Sequence, residues 1–232
     1  MIESGPQSSP PSGPASGPSA AAAARTAAWV GAWQPEDAAL LAARRRAEEV
    51  GVGAVDPGTG AVLRLLAAAA GARHAVELGT GTGVSTLWLL RGLTPDGVLT
   101  SIDPEAEHQR LARLSLGEAG VPSGRVRLIA GRALDVLPRL SDGAYDLVLC
   151  DAVAAEALDY LPAALRLLRT GGLVVFVGAL AGGRIADPSA RDAAALAARE
   201  LARAVRDEPR LVPALVPVGA GLLAAVTVDE SA

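Results

Sequence analysis

The chain has no lysine, one cysteine and two histidines among its 232 residues, and aromatic side chains make up only 3% of it. Each shortage removes a class of function. Arginine alone supplies the fixed positive charge, and the formal net charge is -4. The clustered basic side chains that release counterions from a phosphate backbone are therefore missing, and no nucleic-acid partner is expected. A solitary Cys150 builds no disulfide framework; set in an apolar stretch, it reads as a small core hydrophobe and suits a reducing compartment. No apolar run approaches the roughly 18 to 20 residues that cross a bilayer. The amino terminus opens on Glu3, and its run of alanines replaces the leucine-rich centre of a secretory leader. The expectation is a cytoplasmic protein with no membrane partner.

What is present is apolar bulk: 50% of residues are hydrophobic, enough for one well-buried core at this length. Residues 1–28 form a Ser/Pro/Gly/Ala-rich tail, too poor in large apolar groups to offset the entropy of ordering, and are expected to be disordered. Residues 29–232 are expected to form a single domain. Pro35, Glu36 and Asp37 open a helix that runs to Val50, with Arg44, Arg45 and Arg46 as a solvated face near its end. A Gly/Pro turn introduces a second helix that stops at Gly71. From there the pattern alternates. The apolar runs HAVEL, GVLTSID, RVRLIAG, YDLVLCD and GGLVVFVG are each followed by a helical segment, which indicates parallel strands covered on both faces. The last two runs, RLVPALVPV and GLLAAVTV, are joined through Gly219, Ala220 and Gly221 and read as an antiparallel hairpin. Pro213 and Pro217 place that hairpin at a sheet edge. The expected class is α/β: a doubly wound, Rossmann-like sheet of seven strands, mostly parallel, with an antiparallel C-terminal edge hairpin and helices on both faces.

The stretch VELGTGTGVS, residues 76–85, places three glycines directly after the first strand. In a doubly wound sheet ligands bind beyond the carboxyl ends of the strands, and Gly79, Gly81 and Gly83 would let backbone approach where a Cβ would not fit. The dinucleotide fingerprint G-x-G-x-x-G is broken, because its third glycine falls at Val84 or at Thr86, depending on the starting glycine. That leaves a nicotinamide-dependent dehydrogenase as a distant reading. Glu77 sets a carboxylate beneath the loop. Asp103 ends the second strand, where an acid accepts both hydroxyls of a ribose or caps the helix that follows Pro104, two compatible roles.

Together these features resemble the S-adenosylmethionine-dependent O-methyltransferases of the catechol and caffeoyl-CoA type. The shared pattern is a strand followed by E-L-G-T-x-x-G-x-S, an acid ending strand two, a G-x-A turn after strand three, D-L-V-x-x-D at strand four and a closing antiparallel hairpin. It spans roughly residues 36 to 228. The resemblance implies S-adenosyl-L-methionine as cofactor, a small-molecule methyl acceptor and pairing as a homodimer, for which Trp29, Trp33 and the N-terminal helix are available. By position it implies that Gly79, Thr80 and Gly81 line the methionine part of the cofactor, with Ser85 at its carboxylate and Glu77 supporting the loop. Asp103 would hold the ribose, and Gly131, Arg132 and Ala133 would form the turn at the adenine edge. Val55 matches a segment that packs over the cofactor, and Asp151 matches the acid beside the reacting methyl.

The chain also departs from that family. Its members bind a divalent cation through the strand-four acid and an Asp-Asn pair ending strand five; here those last positions are Val177 and Gly178. Neither offers the oxygen donor that a hard cation requires, so no metal is expected. After Asp151 come Ala152, Val153 and Ala154, where the family often carries a second acid and a lysine. The acceptor must then arrive ionised or be assisted by a general base, and Asp151 is the residue placed for that role. His108 reads as solvated on an outer helix, His74 lies at the far end of strand one, and Arg184 reads as a contact for an anionic substrate group or a salt-bridge partner of Asp187. The expected activity is methyl transfer to a hydroxyl or carboxylate of a small molecule without a metal. The rival reading is a module that binds S-adenosylmethionine or S-adenosylhomocysteine without turnover.

Overall fold

The computed structural model describes residues 19–229. Most of the expected tail lies outside the described residues, but its last part is helical: α1 spans Ala20–Trp33. This corrects the reading of residues 20–28 as disordered. The Ser/Pro/Gly composition stops at Ser19, and an alanine run, the best helix former, begins at Ala20. Ser19 caps it, its hydroxyl accepting from the Ala22 N–H at 3.3 Å. Helices α2 (Ala38–Val50) and α3 (Pro57–Ala69) follow, capped by Asp37 and Asp56. In each case the cap carboxylate accepts a backbone N–H three residues on, which satisfies an otherwise orphaned donor.

Strand β1 (His74–Leu78) leads through the glycine turn into α4 (Val84–Leu90), β2 (Val98–Asp103) into α5 (Ala106–Glu118), and β3 (Val126–Ala130) into the single-turn α6 (Ala133–Val136). The helical segment expected after β3 is short because Pro138 has no N–H to donate; the chain tightens into a 3₁₀ turn over Leu137–Arg139. Strand β4 (Tyr145–Cys150) is followed by α7 (Ala157–Leu167), β5 (Leu168–Val177), α8 (Ala193–Asp207) and the hairpin β6 (Leu211–Val216) and β7 (Leu222–Thr227).

The seven strands lie in the order β3-β2-β1-β4-β5-β7-β6, and all run the same way except β7, which is antiparallel to both its neighbours, β5 and β6. Apolar side chains alternate between two cores. Leu63, Trp88, Leu99, Leu147 and Val175 pack on one face, and Val76, Ile102, Val148, Tyr160 and Phe176 on the other. Successive crossovers run outward from β1 on one side and from β4 on the other, so the carboxyl ends of these neighbours form the crevice of the fold. Leu78 pairs with Cys150, and the next peptide N–H, that of Asp151, donates to the Leu78 carbonyl at 2.8 Å.

Candidate active site

The crevice holds a cavity of about 530 Å³. Gly79, Thr80, Gly81 and Ser85 from the β1–α4 turn, Asp103 and His108 from the β2–α5 segment, and Asp151 from β4 all reach it. The three glycines of the turn have left-handed φ values of 94°, 50° and 92°, but for different reasons. A Cβ on Gly79 would stand 2.1 Å from the Asp151 carbonyl oxygen, so that glycine lets two strand ends close on each other. Gly83 caps α4 and lies in ordinary contact with Ala112 of α5. At Gly81 a Cβ would stand most freely, its nearest neighbour being a Val52 methyl at 4.0 Å.

Beneath the turn, the fully buried Glu77 accepts hydrogen bonds on Oε2 from the hydroxyls of Thr86 and Ser101, each at 2.6 Å, while its Oε1 has no partner. Burial pushes the Glu77 carboxyl up to about 7 against the opposing pull of those hydroxyls. The network extends outward with a fixed direction. Ser101 gives its proton to Glu77, so in the 2.6 Å contact with Ser101 the donor is Thr80; Thr80 in turn accepts from Gln109 Nε2 at 3.0 Å. Gln109 also donates to the Ile129 carbonyl, and its own Oε1 is buried without a partner.

Asp103 fills two roles. Its Oδ2 accepts the Gly81 N–H at 2.9 Å, bracing the glycine turn, and its Oδ1 accepts the Glu105 N–H at 2.9 Å at the start of α5. His108 Nδ1 stands 3.2 and 3.4 Å from the two oxygens. Asp151 is half-buried at the seam; burial, and then the Glu77 charge, push its carboxyl up to about 7. The neighbouring Cys150 thiol is pushed far up by the same burial and is inert as a nucleophile.

Several residues picked out in the sequence lie elsewhere. Val55 turns into the core, its carbonyl accepting from Arg44 at 2.8 Å, and its neighbours Val52, Gly53 and Ala54 line the cavity instead. Gly131, Arg132 and Ala133 do not line the cavity. The Gly131 N–H donates to the Asp103 carbonyl, Arg132 pairs with Glu156 at 2.9 Å, and Ala133 is buried. Arg184 pairs with Asp192 at 3.3 Å, not with Asp187, whose carboxylate is occupied by Ser189. His108 and Gln109 escaped the sequence reading because Glu105, Glu107 and Arg110 make their segment look like a solvated face. The available signal was spacing: His108 lies five residues after the strand-ending acid, where the first turn of α5 folds back over it.

The donor set does not suit a divalent cation. At the end of β5, Val177 and Gly178 line the cavity opposite Asp151 without a side-chain oxygen. Among the described residues, no group of three His, Cys, Asp or Glu side chains is placed to hold a metal.

A family model described as O-methyltransferase matches residues 39–228. A Mycobacterium tuberculosis relative named as an O-methyltransferase is 54% identical over 191 residues, covering 82% of this chain and 85% of its own length. Among solved structures, a Corynebacterium glutamicum protein superposes with a TM-score of 0.83 at 36% identity, covering 90% of this chain and 98% of that one. The O-methyltransferase TomG of Streptomyces achromogenes, involved in tomaymycin synthesis and solved in complex with SAM, superposes with a TM-score of 0.80 at 31% identity, covering 89% and 96%.

Proposed function

The chain belongs to the O-methyltransferase family, and from that premise we propose that the cavity at the β1–β4 seam is where S-adenosylmethionine and a small acceptor meet. The protein is an S-adenosylmethionine-dependent O-methyltransferase; the named relatives favour turnover over the silent binding module. When bound, S-adenosylmethionine supplies a methyl group on a sulfonium and departs as a neutral thioether.

The observation that carries the assignment of the site is electrostatic. Asp103, Glu105 and Asp151 line one cavity with Glu77 beneath it, and no arginine lines it. Burial disfavours Asp151 and Glu77 as anions, and a ligand bearing positive charge offsets that cost. The chain's own residues then divide the work. The Gly79–Gly81 turn and Ser85 hold the amino-acid end of the ligand, with Glu77 as support. Asp103, fixed by Gly81, Glu105 and His108, presents its remaining lone pairs to ribose hydroxyls. Gly131, whose N–H donates to the Asp103 carbonyl, braces that strand end from behind. Asp151 accepts the acceptor's proton; with neither strand-five ligand present, no metal takes part.

Calorimetric titration of S-adenosylhomocysteine, with magnesium and with EDTA, tests this. Metal-independent binding that weakens about tenfold or more in Asp103→Ala is expected; absence of binding under both conditions rejects the site, and a strict magnesium requirement rejects the metal-free reading. Two further elements belong to the proposal. Trp29 and Trp33 stand exposed on α1 with ring centroids 5.3 Å apart, an aromatic pair suited to the interface of a homodimer. No helix among the described residues is long and apolar enough to cross a membrane. The single, buried Cys150 suits residence in the cytoplasm, which cell fractionation checks.

A further inference from the structure

Resting on the reading of this cavity as a methyl-transfer site, we propose that the acceptor is an uncharged molecule bearing one acidic hydroxyl, phenolic or enolic, on an otherwise apolar skeleton. The sheet order divides the cavity into two ends. Over β2 the lining is polar: Asp103, Glu105 and His108. Over β4, β5 and the hairpin turn it is Ala152, Val153, Val177, Gly178 and Ala220, with Asp151 as the one ionisable group. The cations nearest in sequence are engaged elsewhere, Arg184 with Asp192 and Arg132 with Glu156.

A carboxylate or phosphate seated on those walls would lose its hydration, find no donor side chain and face Asp151, so anionic acceptors are rejected. A second hydroxyl, as in a catechol, would find no cation and no side-chain partner other than the same carboxylate. A lone carboxylate is too weak a base for an alkanol, whereas a phenol, titrating near about 10, is within reach of general-base assistance. The step balances. The acceptor O–H proton passes to the Asp151 carboxylate as the oxygen–methyl bond forms. The donor's sulfur–methyl bond breaks with its electron pair kept on sulfur, and the carboxyl later returns the proton to water.

The test uses the full chain saturated with S-adenosylhomocysteine, in EDTA, titrated with 4-butylphenol, 4-butylcatechol and 4-butylbenzoate. The phenol is expected to bind about tenfold or more tightly than the benzoate, and no more weakly than the catechol, with no change on adding magnesium. Val153→Arg, which places a guanidinium on the exposed acceptor wall, is expected to bring the benzoate to within about threefold of the phenol. Asp151→Asn is expected to abolish transfer to the phenol while leaving its binding within about threefold. Benzoate binding equal to the phenol, a catechol preference that appears with magnesium, or no binding of any probe to the loaded protein overturns the proposal. Failure of S-adenosylhomocysteine itself to bind is a separate result, which removes the underlying reading of the cavity and this proposal with it.

Discussion

A single methyl group decides several positions in this molecule. At Gly60, inside α3, a Cβ would stand 2.3 Å from Nε1 of the buried Trp88, whose indole N–H donates to Glu36 at 3.2 Å. Replacing a mid-helix glycine by alanine ordinarily gains about 1 kcal/mol. Here the contact is far inside van der Waals distance and the ring is held by its hydrogen bond and by the core. Gly60→Ala is therefore expected to cost about 2 kcal/mol net and to lower Tm by several degrees in thermal unfolding; an unchanged or raised Tm would show that Trp88 can move aside.

Glu77 makes the second prediction at this scale. An acid whose folded pKa is raised from 4.5 to about 7 holds its proton more tightly folded than unfolded, so stability is full below about pH 4.5 and falls as pH rises through 7. The ligand-free protein is expected to lose Tm between pH 5 and pH 8. Glu77→Gln keeps the shape without the charge and removes on the order of 2 kcal/mol of that loss. Parallel Tm-against-pH curves for the two proteins would refute the assignment.

At the scale of elements, the ends of β4 and β5 set the chemistry. Their register pairs Cys150 with Phe176 and places Val177 and Gly178 across from Asp151. Gly178 sits at φ 76°, a conformation asparagine tolerates, and its Cβ would meet nothing within 4 Å. The double variant Val177→Asp, Gly178→Asn is therefore expected to fold and to acquire magnesium or manganese binding that the parent lacks, measured by calorimetry. A variant that folds with no metal affinity would mean that these positions do not converge on Asp151. The strands themselves were legible in the sequence because each central strand is an unbroken apolar run, the mark of a strand buried on both faces. The helices were less so: α6 shrank at Pro138, and α1 appeared inside what composition had marked as a tail.

At the scale of the whole molecule, the exposed Trp29 and Trp33 on α1 are expected to hold two copies together. Trp29→Ala combined with Trp33→Ala should shift sedimentation from dimer to monomer with little change in Tm, since neither ring packs in either core. A parent that sediments as a monomer would dismiss the interface.

By itself the sequence determined the doubly wound sheet, the position of the glycine turn at its crevice, the acids at the ends of β2 and β4, and the missing strand-five oxygens. All of these are local: apolar runs, turn residues and an acid directly after a strand. Tertiary structure decided what those groups touch. It separated Gly79, needed for strand closure, from Gly81, open to the cavity, and it turned Val55 inward. It folded α5 back so that His108 meets Asp103 and Gln109 feeds the chain of hydroxyls ending at Glu77. Contacts between residues as far apart as Thr80 and Gln109, and the desolvation that lifts the Glu77 and Asp151 carboxyls, depend on how helices pack over the sheet, which no local spacing records.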